Sequence, residues 1–346
     1  MGEEQKRVDQ YEEEISLKEL FMALWRQKLI IISITLIAAI LTGIVSVFFI
    51  SPVYNSRLNI IINMPDTYHT RFGDYQLPIT SNSEYINLIT SNDVLIDTIN
   101  DMGYDTNEIT IEGLRERINI VDPSTSTSNE QNSFYISVSA NNPEEAKTLA
   151  QTLFDNYTEF IDVLTIKGAI DYYRNQFTTS LKSLEVSLES TKKILAKNIE
   201  LLAETPQTIN QGEAIDEISG DTNISEYVIL ENIINTNYTA IEKNIVENKQ
   251  SINSIENSKR VNNEYLIELD KIQKHLDTYY ITGDIKEFDD IAVNITTTNI
   301  YLPSQPIVPN KKVSPNNTMN VVIGTVLGGM LGILVALVKE YWFKKN

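Results

Sequence analysis

Few residues in this chain could build a metal centre or a redox site. The sequence contains no cysteine, which excludes disulfides, thiolate catalysis and zinc–thiolate centres. Its two histidines, His69 and His275, are far apart in the sequence, and we place one in a loop and the other in a helix. A metal centre needs several ligands at defined spacings, and the residues around these histidines show no such pattern. We therefore expect no metal site.

The carboxylates and glycines of the sequence form no catalytic or phosphate-binding pattern. The acid pairs Glu144/Glu145 and Asp289/Asp290 consist of neighbouring residues, which is typical of helix caps and solvated surfaces rather than of acid–base catalysis. No glycine-rich loop of the kind that cradles nucleotide phosphates occurs in the sequence. The sequence thus predicts a protein without enzymatic activity and without a cofactor.

Two apolar runs organise the rest of the chain. Leu29–Ile50 has no charged residue over about 22 positions, roughly 33 Å of helix, which is enough to cross a bilayer. It is too long for the apolar core of a signal peptide and lacks a cleavage site of small residues. Val321–Val338 forms a second run. We expect two transmembrane helices, with both termini on one side and one large loop on the other.

The distribution of charged residues predicts how the chain is oriented in the membrane. Between Ser51 and Thr318 there are 39 acidic and 20 basic residues, so the loop carries the whole net charge of −19 and is unsuited to bind nucleic acid or anionic lipid. Basic residues flank the terminal sides of the two runs more than the loop side, which predicts cytoplasmic termini. The terminal flanks contain Lys18, Arg26, Lys28, Lys339, Lys344 and Lys345, against Arg57, Lys311 and Lys312 on the loop side.

Small residues recur at four-residue spacing in both apolar runs. Gly324, Gly328 and Gly332 share one face of the second run, and Ala39 with Gly43 does the same in the first. Small side chains let membrane helices approach closely. We expect these positions to pack helix against helix, either within one chain or between chains.

The amino-terminal part and the first third of the loop predict short elements. Ser16 and Glu19 form a capping box before an amphipathic helix, which lies on the membrane surface or simply extends the first membrane helix. Alternation predicts strands and apolar spacing predicts helices, whereas residues 66–77 show no periodicity. The predicted strands are 54–62, 118–121, 134–140 and 291–301, and the predicted helices are 83–102 and 111–117.

Two long helices dominate the remainder. Asn142 caps the first, which begins at Pro143, continues to Ala203 and is bent by Gly168. The second runs from Tyr227 to Tyr280 and ends at Gly283. Between them we expect a partly exposed apolar seam, formed by Leu181, Leu184, Leu188 and Leu195 on the first helix and Ile241, Ile245, Ile252 and Ile255 on the second. A stiff extended spacer then leads to the membrane through Pro303, Pro306, Pro309 and Pro315.

The predicted fold class is α+β, a membrane-anchored protein in which two transmembrane helices flank an extracytoplasmic α/β base with long projecting helices. The predicted domains are a cytoplasmic start, a first span, the base, the helical projection, the return strand with its spacer, a second span and a tail. Their bounds are 1–28, 29–50, 51–142, 143–290, 291–320, 321–338 and 339–346.

The order of these elements resembles the Wzz-type chain length determinants, which are polysaccharide co-polymerases of bacterial membranes. The resemblance covers the whole chain, and its motifs are specific mainly in combination. They are residues 14–20 before the first span, Pro52-Val53-Tyr54, Asn142-Pro143-Glu144-Glu145-Ala146, the proline segment with Ser314-Pro315-Asn316, and Leu327-Gly328-Gly329-Met330-Leu331-Gly332.

The resemblance implies a ring of identical subunits that sets how many sugar repeats a membrane polymerase adds to O-antigen, capsule or exopolysaccharide. A lipid-linked glycan is a further partner. One rival function is an adaptor for a separate cytoplasmic tyrosine kinase, which would be contacted by Tyr341–Phe343. Another is a two-pass sensor or secretion component. Some family members carry a fused kinase after the second span, but this chain has only eight residues after Val338.

Overall fold

The computed structural model describes residues 17–121, 132–210, 232–283 and 299–342. Its helices are α1 (Leu17–Arg26), α2 (Lys28–Phe48), α3 (Asn82–Asn87), α4 (Asn92–Asp101), α5 (Ile111–Arg115), α6 (Pro143–Glu204), α7 (Thr236–Thr282) and α8 (Asn317–Tyr341). Its strands are β1 (Tyr54–Ile62), β2 (Thr67–Thr70), β3 (Gly73–Gln76), β4 (Ile118–Val121), β5 (Ser133–Ala140), β6 (Thr208–Asn210), β7 (Asn232–Ile234) and β8 (Ile300–Tyr301). The predicted mixture of sheet, very long helices and an apolar helix near each end is confirmed.

The chain divides into two compact units. The first contains Met1–Ile62, Asn82–Tyr157 and Ile300–Asn346, and the second contains Asn63–Ser81 and Thr158–Asn299. Helix α6 therefore contributes residues to both units.

An antiparallel sheet in the order β4-β5-β1-β8 forms the base of the first unit. Alternate residues of its two central strands are buried and pair across the ladder, as in Leu58 with Ile136 and Ile60 with Phe134. This alternation is the pattern that predicted β1, β4 and β5, and those three strands are confirmed. Of the predicted return strand 291–301, residues 299–301 are described, and Ile300–Tyr301 form β8.

The helical segment after β3 differs from its prediction. A single helix over 83–102 is wrong, because α3 ends in a 3-10 turn over Leu88–Thr90 and α4 begins only at Asn92. Ser91 between them has an extended backbone, with φ −65° and ψ 155°. The run Thr90-Ser91-Asn92-Asp93 has low helix propensity, which favours a break here, although the Ser91 side chain makes no capping hydrogen bond.

The β2–β3 hairpin of the second unit was not predicted. Residues 66–77 carry no periodic signal, yet Tyr68 pairs with Tyr75 and Thr70 with Gly73 across a two-residue turn. Gly73 has φ +122°, a backbone conformation that a residue with a side chain rarely adopts. Strands of four residues contain too few alternations for sequence periodicity to reveal them.

Helices α6 and α7 agree with the long-helix prediction except at one end. Asn142 caps α6 as expected, since its Oδ1 accepts from the backbone N–H of Glu145 at 2.7 Å. Helix α7 begins at Thr236 rather than at Tyr227, because Asn232–Ile234 pairs with β6 as strand β7. Gly283 ends α7 in a left-handed conformation with φ +69°, as predicted.

Several remaining expectations fall at the edges of the described residues. Ser16 of the capping box lies outside them, as do Asp289/Asp290 and Phe343. Helix α2 begins one residue before the predicted first span, and α8 extends the second predicted span by four residues at its start and three at its end. Asn316 caps α8 by accepting from the N–H of Met319 at 3.2 Å.

Candidate functional site

Helices α2 and α8, which we term the apolar pair, are both long and apolar enough to cross a membrane. They pack antiparallel in the first unit, with Gly43 of α2 near Val321 of α8 at one level and Ile31 near Gly332 at another. No charged side chain lies between Leu29 of α2 and its end at Phe48. Among the described residues of this unit the pair forms an extended helix contact, which contains four of the five predicted small residues.

The glycine stripe of α8 faces α2 directly. A Cβ atom placed on Gly328 would lie 2.5 Å from the Cβ of Ala38, and one on Gly332 would lie 3.0 Å from the Cα of Ile31. At Gly324 an added Cβ would collide with Thr42. Because all three glycines are buried against α2, the two helix backbones approach through positions that have no side chain.

The two small residues predicted on α2, Gly43 and Ala39, have different surroundings. A Cβ on Gly43 would lie 3.4 Å from the Cγ2 of Val321, so Gly43 belongs to the same contact. Ala39 instead lines a groove of about 390 Å³ beside it, together with Ile31, Ile32, Thr35, Leu36 and Thr325.

Polar side chains tie the apolar pair at both ends. At the end nearest the sheet, Ser46 is 1% exposed, donates to Oδ1 of Asn317 at 3.0 Å and accepts from Nδ2 of Asn320 at 2.9 Å. At the other end, Glu340 accepts from Arg26 Nη1 at 3.3 Å and from Gln27 Nε2 at 3.0 Å. Through Ser46, and through Arg26 and Gln27 just before α2, these contacts align α2 lengthwise with α8.

The proline segment is extended and lies along the start of the sheet. The N–H of Val53 donates to the carbonyl of Ser314 at 2.9 Å, and the N–H of Val313 donates to the carbonyl of Val53 at 2.7 Å. Ser56 Oγ donates to the carbonyl of Ile307 at 3.3 Å. Among the predicted prolines, Pro306 and Pro315 are buried, Pro309 is half-buried and Pro303 is exposed. The segment is thus hydrogen-bonded to β1 and its approach.

In the second unit, α7 and residues 158–204 of α6, which we term the long pair, run antiparallel. The four predicted seam leucines, Leu181, Leu184, Leu188 and Leu195, are all half-buried, and on α7 only Ile245 of the expected isoleucines is buried. Polar contacts bridge the two helices along their length: Arg174–Asp270 at 2.9 Å, Ser180–Asn262 at 2.9 Å, Glu185–Lys259 at 3.4 Å and Lys192–Glu256 at 3.3 Å.

An aromatic cluster, which we term the clasp, joins the β2–β3 hairpin to both long helices. The ring of Phe72 lies 5.5 Å from Tyr173 of α6 and 5.5 Å from Tyr265 of α7, and Phe177 completes the cluster. The Tyr173 hydroxyl donates to the carbonyl of Gly73 at 2.7 Å. One hairpin side chain therefore contacts both long helices, a role that the sequence did not reveal.

Two hairpin tyrosines lie close to α6. A Cβ on Gly168 would collide with the Tyr75 hydroxyl, so this glycine admits the phenol against the helix, and α6 continues through it. Burial raises the pKa of Tyr75, and Tyr173 and Asp171 add to the shift. Burial and then the charge of Asp162 raise the pKa of Tyr68 to about 12.

The histidines do not form a metal centre in the part of the chain that the structure describes. His69 Nδ1 lies 2.8 Å from Asp74 Oδ1 at the exposed side of the hairpin. His275 lines a groove of about 460 Å³ with Arg71 and Glu268, which pair with each other at 2.8 Å. Among these described residues, no three histidine, aspartate or glutamate side chains gather as metal ligands would.

Two solved structures overlap with this chain. The full-length bacterial polysaccharide co-polymerase is 16% identical, with a TM-score of 0.43 over 96% of this chain and 99% of the other. The Shigella flexneri lipopolysaccharide O-antigen chain-length regulator WzzBSF is 14% identical, with a TM-score of 0.32 over 75% of this chain and 99% of the other. TM-scores below 0.5 do not establish a shared fold.

Sequence comparison finds a family match in the amino-terminal part of the chain. Residues 13–102 match the family model of the Wzz chain length determinant protein. Over this segment the chain is similar to the Wzz family. It contains α1, α2, β1, the hairpin, α3 and α4, and therefore reaches from the first apolar helix into both compact units.

Two curated proteins are similar to this chain in sequence. The capsular polysaccharide biosynthesis protein CpsC of Streptococcus pneumoniae is 28% identical over 166 residues, which covers 45% of this chain and 69% of CpsC. The probable capsular polysaccharide biosynthesis protein YwqC of Bacillus subtilis (strain 168) is 28% identical over 145 residues, 41% of this chain and 54% of YwqC. The chain is thus homologous to capsular polysaccharide biosynthesis proteins.

Proposed function

We propose that this protein regulates the chain length of a bacterial surface polysaccharide and catalyses no bond formation itself. The observation that carries the proposal is the match of residues 13–102 to the chain length determinant family. The names of the two homologous proteins support a capsular or related polymer as the product that is regulated.

The proposal includes two membrane spans, α2 and α8, with both termini in the cytoplasm. Basic residues at the terminal flanks, among them Arg26, Lys28 and Lys339, support this orientation. Because the chain has no cysteine, single cysteines can test it. A membrane-impermeant thiol reagent should label Lys193→Cys in intact cells and label Lys18→Cys only after permeabilisation. The reverse labelling would overturn the orientation.

Further copies of this chain, a membrane polysaccharide polymerase and a lipid-linked glycan are the partners we propose. A polymerase adds repeats, and a protein that regulates length must act on the polymerase or on its growing product. The alternatives, a kinase adaptor or a two-pass sensor, have no comparison in their favour, since the matched family is named for chain length.

Gel profiling of surface polysaccharide tests the proposal. A strain that lacks the gene should make polymer of an abnormal, broadened size distribution, and a plasmid copy should restore the original distribution. The total amount of sugar repeats serves as the control for synthesis itself. An unchanged distribution would contradict the proposal, and unchanged length with lost phosphorylation of a cytoplasmic kinase would favour the adaptor function.

A further inference from the structure

Helix α1 exposes a ridge of large apolar side chains. Leu17, Phe21 and Trp25 follow one another at four-residue steps, so they share one helix face, and they are 87%, 65% and 64% exposed. Phe21 and Trp25 stack with ring centroids 6.3 Å apart. A continuous apolar ridge on a short helix is a surface that binds another apolar phase.

The structure also fixes the side of α1 that points away from the ridge. Ala23 is 6% exposed and lies two positions, roughly 160° around the helix, from Phe21. Arg26 and Gln27 donate to the carboxylate of Glu340 in the last turn of α8, and the Glu340 side chain is only 10% exposed. These contacts hold α1 against the end of the apolar pair with its ridge uncovered.

The direct connection of α1 to α2 indicates that the ridge lies at the membrane. Helix α2 begins at Lys28, two residues after α1 ends, and Gln27 between them departs from helical geometry with φ −96° and ψ 14°. The Lys28 ammonium lies 4.8 Å from the centre of the Trp25 ring. Tryptophan with neighbouring cations is typical of the boundary between lipid headgroups and acyl chains.

We propose that α1 lies in the plane of the membrane, with Leu17, Phe21 and Trp25 inserted among the acyl chains of the leaflet where α2 begins, and that Glu340 is the positioning residue that sets this orientation. The exposed cations Lys18 and Arg26 meet the lipid phosphates. The proposal concerns a membrane contact of α1 and goes beyond the regulation of polymer length.

Nitroxide scanning of the full-length protein tests the membrane contact. Single cysteines replace Leu17, Phe21 or, on the opposite face, Glu19, and the labelled proteins are reconstituted into phosphatidylethanolamine–phosphatidylglycerol vesicles. Labels at Leu17→Cys and Phe21→Cys should collide with oxygen several-fold more than with a water-soluble nickel complex, and Glu19→Cys should show the reverse. If α1 instead continues straight from α2, residue 17 lies roughly 16 Å beyond Lys28 and all three labels are open to nickel, which overturns the proposal.

Two further results test whether lipid covers the ridge of α1 and whether Glu340 orients this helix. A label at Phe21→Cys that neither reagent reaches would show a protein contact and would overturn the lipid assignment. In the Glu340→Ala background, the contrast between Phe21→Cys and Glu19→Cys should shrink, whereas the neighbouring Lys339→Ala should preserve it. An undiminished contrast in Glu340→Ala would remove Glu340 from the proposal.

Discussion

The apolar pair and the long pair are both antiparallel helix pairs, but different contacts hold them together. In the apolar pair, glycines let the backbones touch, and polar contacts occur at the two ends. In the long pair, half-buried leucines form a thin seam, polar contacts bridge it along its length and the clasp joins both helices to a hairpin.

The difference follows from the surroundings that we propose, which are lipid for the apolar pair and water for the long pair. Between lipid chains an apolar side chain gains little from leaving its solvent, so close backbone packing and a few polar contacts must hold the helices together. In water a seam of half-buried leucines is itself favourable, and exposed ion pairs such as Lys192–Glu256 add at most about 1 kcal/mol. Substitutions in the two pairs should therefore have different consequences.

The largest effect is expected at Gly328. A leucine there must displace α2, because an added Cβ would lie 2.5 Å from the Cβ of Ala38, whereas the nearest atom to a Cβ on Gly329 is 3.8 Å away. Spin labels on cysteines that replace Ile40 and Val326 should report a distance between the labels that is longer by about 2 Å in Gly328→Leu. Distances between the axes of packed helices vary by about this amount with the size of the side chains at the contact. Gly329→Leu is the matched control with the smaller change. Equal distances in both variants would contradict the packing described for this pair.

The next largest effect is expected in the seam. Because Leu184 and Leu188 are only half-buried, each change to alanine should cost about 2 kcal/mol or less, the lower end for buried leucines. Hydrogen exchange in the Leu184→Ala, Leu188→Ala variant should speed up along α6 and α7 but not in β1 and β5. Val186→Ala, on the exposed face of the same helix, should leave exchange unchanged. Protection equal to the wild type in the double variant would show that the seam does not support these helices.

Alkaline pH should loosen the hairpin that carries the clasp. The Tyr68 pKa is about 12 in the folded protein and about 10 in an unfolded chain, so from pH 10 to 12 only the unfolded phenol ionises. The contribution of Tyr68 to stability is fully present below pH 10 and is lost as the pH rises toward 12, at up to about 1.4 kcal/mol per pH unit. Denaturant unfolding of Tyr68→Phe should show a shallower loss above pH 10 and the same pH dependence as the wild type near pH 8. Parallel curves at high pH would contradict the buried position of this phenol.

The smallest effect is expected where Gly168 meets Tyr75. Gly168→Ala should destabilise the protein by about 1 kcal/mol, since a flexible phenol can yield partly to the new methyl group. Tyr75→Phe removes the colliding hydroxyl and leaves the nearest ring carbon 3.6 Å from the new Cβ, so the double variant should recover most of this loss. Additive losses in a double-mutant cycle would show that the two residues do not meet.

Local signals made part of this fold predictable. Asn142 and Asn316 cap α6 and α8 through hydrogen bonds to residues three positions away. Because both partners are close in the sequence, such contacts can be predicted from it. The strands β1 and β5 are long enough to show alternation. The glycine repeat indicated a face of α8 on which close packing is expected, and α2 lies against that face.

Contacts between distant residues account for the parts that sequence reasoning missed. Glu340 and Arg26 are 314 positions apart, and nothing near either residue predicts the other. The start of α7 depends on β6, because Ile233 and Ile234 suit a helix as well as a strand until the partner strand is known. One overlooked signal pointed to the hairpin that carries the clasp: the aromatic residues Tyr68, Phe72 and Tyr75 lie close in sequence to Gly73.

The size distribution of surface polysaccharide from three strains tests the central claim most directly. The strains contain no copy of the gene, the wild-type gene, or the Leu184→Ala, Leu188→Ala variant at equal abundance in the membrane. We predict a defined modal length with the wild type, its loss without the gene, and a shifted or broadened distribution with the variant. The same distribution in all three strains would contradict the account.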